Sequence, residues 1–204
     1  MIKYTDKARI EICIIRPSDR MTEMIITSKN ILPTIMAKII IPNDIQILTY
    51  ISHTKAYVHF HDVKFPDSLN TITIIGKHRA CKTNIYNLVL PEHLIKLELD
   101  NVSFPHGQDI SCHTHLCTLN CKHMKPFKKM PPSLKSYHLE LCKADDLDNL
   151  PLGLEELHIS YLLSHAPTNL PPSLKRIILS DHLYREETAA MLTKLPFGCE
   201  IIYA

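Results

Sequence analysis

Six thiol and imidazole side chains crowd residues 111–124 (SCHTHLCTLNCKHM): Cys112, His113, His115, Cys117, Cys121 and His123. Thiolates and imidazoles are zinc's preferred ligands, so a metal centre is the first chemistry the cluster suggests. The spacing Cys112-x4-Cys117-x3-Cys121-x-His123 lacks the paired CxxC knuckle of structural zinc sites, and no metal or other cofactor is expected. Phosphate-binding loops are also excluded. The four glycines, Gly76, Gly107, Gly153 and Gly198, lie too far apart for a GxGxxG turn or a Walker-type loop. No GxSxG nucleophile elbow occurs. A Cys–His nucleophile can be drawn from Cys81 or Cys117 with one of thirteen histidines, but nothing in the spacing selects a pair. The chain is therefore not expected to be an enzyme.

The residues that do recur at regular spacing are structural. Aligned on the apolar residue before a proline, the chain reads IPNDIQILTY (41–50), FPDSLNTITI (65–74), LPEHLIKLEL (90–99), MPPSLKSYHL (130–139), LPLGLEELHI (150–159), LPPSLKRIIL (170–179) and LPFGCEIIYA (195–204). The rule is apolar-Pro-x-x-apolar-x-x-apolar-x-apolar. Starts at 41, 65, 90, 130, 150, 170 and 195 leave one long interval, and residues 112–121 fill it: Leu116, Leu119 and Cys121 occupy the apolar slots and His113 replaces the proline. The Cys/His cluster is thus a divergent repeat, in which Cys121 points to the core and His123 lies just past the strand.

Apolar residues two apart, such as Leu97 and Leu99 or Leu157 and Ile159, share one face of a short strand. A single strand cannot bury that face. Stacked units form a parallel sheet with one continuous apolar column, each repeat stabilising its neighbours. The proline, about six residues before the strand pair, suits a turn entering the strand because its φ is fixed and it lacks a donor. The expected fold is mostly β with short helices and turns, a solenoid of about eight repeats spanning residues 41–204.

From residue 41 to 204 the Leu-Pro-x-Ser-Leu-Lys-x-Leu pattern resembles leucine-rich repeats. It looks most like the FNIP repeats of amoebae and their large DNA viruses and the LPX-type repeats of bacterial effectors. The resemblance implies a curved solenoid that binds other macromolecules through its concave sheet, and it supplies no catalytic residue. The asparagine or cysteine that leucine-rich repeats place three residues after the last strand leucine is replaced here by Lys77, Val102, Leu162 and His182, and the Phe-Asn pair of FNIP repeats is missing.

Composition fits a compact chain of 204 residues, 45% hydrophobic and 22% charged. Fourteen prolines against four glycines mean that proline makes most turns. A net charge of +2 with one basic cluster, residues 122–129 (KHMKPFKK), does not point to nucleic acid. No signal peptide or membrane span is legible. Seven cysteines, an odd number placed mainly at or near strand positions, read as small buried hydrophobes in a reducing compartment, so a cytoplasmic location is expected, in the protein's own cell or a host's.

The ends should shield the terminal apolar faces. Residues 1–40 offer two strand-like runs, 9–16 (RIEICIIR) and 21–27, which predict a hairpin-like N-terminal cap. Asp181 is placed to cap a short helix over 182–194 (HLYREETAAMLTK).

The residues between and beside the inward strand positions point to the outer, concave face. The central column is Thr49, Thr73, Glu98, Asn120, His138, His158, Ile178 and Tyr203. Beside it lie Thr71, Lys96, Thr118, Ser136, Glu156 and Arg176 on one flank, and Asp100, Lys122, Glu140 and Ser160 on the other. The partner-binding candidates are Lys96, Glu98, Asp100, Asn120, Lys122, His138, Glu140, Glu156, His158 and Arg176. This mixed-sign surface suits a protein partner better than a phosphate backbone, which favours a single-sign stripe. His138 and His158, about 4.8 Å apart on adjacent strands, should resist double protonation below pH ~6.5. A monomeric adaptor or inhibitor is expected. The alternative is a structural, self-associating protein whose edge strands pair between copies.

Overall fold

A computed structural model describes residues 10–15, 22–29, 34–35, 39–53, 57–60, 63–78, 82–86, 88–104, 109–122, 127, 129–140, 147–161, 163–180 and 184–204. The fold is a mostly β solenoid of parallel strands, divided into two compact units, Met1–Gln108 and Asp109–Ala204.

The first unit contains β1 (Ile10–Ile15), β2 (Glu23–Ser28), β3 (Thr34–Ile35), β4 (Ile47–Ser52), β5 (Tyr57–His59), β6 (Thr71–Gly76), β7 (Thr83–Tyr86), β8 (Lys96–Asp100) and β9 (Val102–Ser103). One sheet runs β1-β2-β4-β6-β8 and another β3-β5-β7-β9. The alternation of Leu48-Thr49-Tyr50 and Ile72-Thr73-Ile74 puts every second side chain inside. Met24, Leu48, Ile72 and Leu97 form one buried column, and Ile26, Tyr50, Ile74 and Leu99 the next. Each fully buried Leu or Ile contributes about 1.5–3 kcal/mol. On the second sheet Val58, Ile85 and Val102 are buried, and Phe60 meets the Tyr50 ring edge-on at 6.3 Å.

The two runs expected to form an N-terminal hairpin do pair antiparallel, as β1 and β2. β2 also pairs parallel to β4, and the Thr22 carbonyl accepts from Gln46 and Ile47 as Gln46 accepts from Asn70 and Thr71. One strand therefore serves both the hairpin and the repeat array, with Met24 and Ile26 in the core columns.

The second unit contains β10 (Thr118–Lys122), β11 (Ser136–Leu139), β12 (Glu156–Ile159), β13 (Arg176–Leu179), helix α1 (Arg185–Met191) and β14 (Glu200–Tyr203), its strands paired in parallel in that order. Leu119, Tyr137, Leu157 and Ile177 form one buried column, and Cys121, Leu139, Ile159 and Leu179 the other. Helix α1 begins after Tyr184, which makes no side-chain capping bond, and Glu186 and Glu187 suit the positive end of the helix. The helix is thus shorter than the sequence predicts, and the cap expected at Asp181 lies outside the described residues.

The proline slot works as expected throughout. Pro42, Pro66, Pro91, Pro131, Pro151, Pro171, Pro196 and the substitute His113 each accept a hydrogen bond from the N–H three residues on, at 3.0–3.3 Å. The serine of the Pro-x-Ser-Leu motif ties each turn to the one before. Ser68 Oγ lies 2.7 and 2.6 Å from the carbonyls of Asn43 and Ile45, Ser133 Oγ 3.2 and 2.8 Å from those of His113 and Leu116, and Ser173 Oγ 2.5 and 2.6 Å from those of Leu152 and Leu154. One hydroxyl proton is shared between two acceptors, which satisfies turn carbonyls that the sheet does not reach.

Candidate functional site

On β10–β13 the residues between the inward columns stand in register on the outer face. Asn120 is opposite His138, His138 opposite His158, and His158 opposite Ile178. On the neighbouring flank Thr118, Ser136, Glu156, Arg176 and Glu200 follow one another. Ile202, rather than Tyr203, continues the central column, because Ile178 pairs with Ile202 and Tyr203 falls in line with the inward Leu179.

Glu156 is the hub. Its Oε1 accepts from His158 Nε2 at 2.8 Å and Ser136 Oγ at 3.2 Å, and its Oε2 pairs with Arg176 Nη2 at 2.7 Å. The His158 hydrogen bond, then the charges of His158 and Arg176, hold the Glu156 carboxyl below the usual carboxylate range against a burial penalty. The His158 ring stacks on His138 with centroids 5.2 Å apart and planes 23° from parallel. His138 Nε2 lies 3.2 Å from Ser160 Oγ, which lies 3.1 Å from Ser180 Oγ. Burial first, then the charges of His158 and Lys122, push His138 down to about 4. The charge of His158 is among the causes that lower His138, in line with the expectation that the pair resists double protonation below pH ~6.5.

The remaining candidates in this unit surround the hub. Lys122 and Glu140 are half-buried at the strand ends, and the Asn120 amide oxygen is buried without a hydrogen-bond partner among the described residues. In the first unit Lys96 Nζ pairs with Glu98 Oε1 at 2.8 Å, Glu98 Oε2 accepts from Thr73 Oγ1 at 3.0 Å, and Asp100 sits half-buried at the end of β8. Thr49 Oγ1 donates to Glu23 Oε1 at 2.9 Å. Three of the ten candidates thus lie in the first unit and seven in the second, where Glu156, His158, Arg176 and His138 form one linked network.

Sequence reasoning missed a second charged line just before the strands. Lys135 and Lys175 pair with the two oxygens of Glu155 at 3.0 and 2.6 Å and pull its carboxyl down to about 2, the Lys175 hydrogen bond contributing most. The Lys-Glu-Lys alternation at a period of 20 was a visible signal. Ser180 was also missed, although it occupies the same slot as Lys122, Glu140 and Ser160.

The Cys/His cluster resolves as a repeat. His113 is buried in the turn, Cys112 and His115 are exposed, Cys117 is half-buried and Cys121 is buried in the core, where the thiol is pushed far up by desolvation. His123 lies outside the described residues. Among the described residues no group of three His, Cys, Asp or Glu is placed to hold a metal ion, and no helix is long and apolar enough to cross a membrane. No family model matches the chain, and neither a curated protein nor a solved structure matches it.

Proposed function

We propose that this chain is a non-catalytic protein-recognition module of the leucine-rich-repeat type, an adaptor or inhibitor that holds a cellular or host protein against the outer face of its sheet. The observation that carries the reading is the Glu156 hub. Three donors from three adjacent strands converge on one carboxylate, and a stacked histidine pair extends that order to β11. Side chains already held in place lose less entropy when a partner arrives, which favours affinity. The Arg176 side chain, 57% exposed beside this fixed network, is of a type enriched among the residues that anchor protein interfaces. Charges of both signs in adjacent columns suit a protein surface and disfavour a polyanion. A cytoplasmic setting belongs to the same proposal: Cys13, Cys112, Cys117, Cys121 and Cys199 are all free thiols, which a reducing compartment preserves.

The test is an affinity pull-down from cell lysate comparing the wild-type chain with a folded Glu98→Ala/His138→Ala/His158→Ala variant. A protein captured by the wild type and lost by the variant supports recognition through this face. Equal capture by both moves the site elsewhere.

A further inference from the structure

The charged groups around the Glu156 hub stand at different depths. Both oxygens of Glu156 are occupied, Oε1 by His158 and Ser136 and Oε2 by Arg176, and the two oxygens of Glu155 are held by Lys135 and Lys175. These carboxylates are also recessed. Their side chains are 21% and 37% exposed, against 57% for Arg176, 54% for Lys135 and 69% for Lys175. A partner arriving here therefore meets donors before acceptors, and the acceptors are already taken. Among the described residues the Arg176 guanidinium is engaged through Nη2 alone. One bond through that nitrogen leaves a second edge of the planar group open for a bidentate carboxylate.

We propose that the partner of this face presents an aspartate or glutamate side chain, which Arg176 grips with Lys175 beside it. The proposal rests on recognition through the outer face and names the chemistry that the face selects. Charge complementarity carries the choice. A basic partner segment would meet three outermost cations and find Glu155 and Glu156 already paired, whereas an acidic one finds unspent donors on Arg176. The first unit offers no such front. Along β2, β4, β6 and β8 its outer face sets Glu23, Glu98 and Asp100 against one cation, Lys96, which lies 2.8 Å from Glu98. Glu200, exposed and opposite Arg176 in the ladder, forms no ion pair with it among the described residues. It is a competing negative charge beside the grip, so its removal has a defined sign.

The experiment pans a random-peptide display library on the immobilised full chain. Peptides bearing Asp or Glu should be enriched, and the same panning on Arg176→Gln, checked for folding by circular dichroism, should lose that enrichment. One enriched peptide, made with a fluorescent label, then serves as the probe for anisotropy. Arg176→Gln should weaken its binding at least about tenfold. Replacing the peptide's acidic residue by its amide tests the same contact on the unaltered chain and should do the same, and both changes together should cost little more than either alone. Glu200→Gln should tighten binding about threefold by removing the competing charge. Enrichment of basic or uncharged peptides, additive losses from the two changes, weaker binding by Glu200→Gln, or no enrichment at all would overturn the acidic partner. Basic or uncharged peptides that are lost with the Glu98→Ala/His138→Ala/His158→Ala variant would overturn it while keeping recognition through this face. An absence of enriched peptides together with equal capture in the pull-down would remove both readings.

Discussion

The two units close the same kind of repeat with different lengths of chain. In the first, repeats starting at 41, 65 and 90 are 24 and 25 residues apart; in the second, those starting at 130, 150 and 170 are 20 and 20 apart. Strands β2, β4 and β6 have six residues each, whereas β11, β12 and β13 have four. The longer repeat also has enough chain on its return side to form strands of its own, β3, β5, β7 and β9. Among the described residues, the shorter repeat has a side-chain link on its return side. Asp148 accepts from the backbone N–H groups of Thr168 and Asn169 at 2.6 and 2.9 Å and from Thr168 Oγ1 at 3.0 Å. In the shorter repeat these exposed backbone groups thus pair with a carboxylate, whereas the longer repeat pairs its return strands in a second sheet. The last interval, 170 to 195, returns to 25 residues and contains helix α1.

The contrast is sharpest at the glycines, where the largest effect is expected. A Cβ on Gly76 would lie 2.5 Å from the Asn101 carbonyl oxygen and 2.8 Å from Thr83 Oγ1, so Gly76→Ala should lower stability by about 3 kcal/mol. A Cβ on Gly153 meets the Pro132 carbonyl at 3.4 Å, and Gly153→Ala should change stability by less than about 1 kcal/mol. Urea denaturation giving equal effects would remove the distinction. Next is Asn101, held at φ 51° with its amide donating to the carbonyls of Gly76 at 3.0 Å and His78 at 2.8 Å. Asn101→Ala should cost about 2 kcal/mol, and Asn101→Gly less, because glycine accepts that φ.

A smaller effect belongs to the serine links. Ser133→Ala and Ser173→Ala should each cost about 1 kcal/mol in thermal denaturation. Gly153→Ser should gain up to about 1 kcal/mol, since Gly153 occupies the serine slot of its repeat and the new hydroxyl would face the Pro132 carbonyl. A separate effect is pH dependence. His138 is at about 4 in the folded chain against an ordinary 6.5, so between these values the unfolded chain binds the extra proton. Its contribution is therefore intact above pH 6.5 and is lost as pH falls toward 4. His138→Phe should flatten the stability profile in that interval, while leaving the loss below pH 4.5 that follows from the depressed Glu156. An unchanged profile would show that His138 is not buried as described.

The repeat was legible because its turn chemistry and strand alternation are local. The period, the inward columns and even the divergent copy at His113 follow from spacing alone, and the hydrogen bond from Leu116 to His113 places that copy in the same turn as the others. The second sheet was not legible, since Tyr57–His59 and Thr83–Tyr86 are too short to announce themselves and exist only through pairing. Nor was the work of Asn101, which lies two residues after Leu99 instead of at the expected third position and adopts positive φ to reach back. On the outer face the columns were readable, but the convergence on Glu156 depends on rotamers and long side chains that alternation does not specify.

Site-directed photocrosslinking offers the most direct test of recognition by the ordered outer face of the second unit. A photoreactive residue at position 158, beside the Glu156 hub, should crosslink a partner from lysate, whereas one at position 49, on the Thr49 column of the first unit, should not. Capture from position 49 but not 158, or equal capture from both, would contradict recognition centred on Glu156, His158 and Arg176.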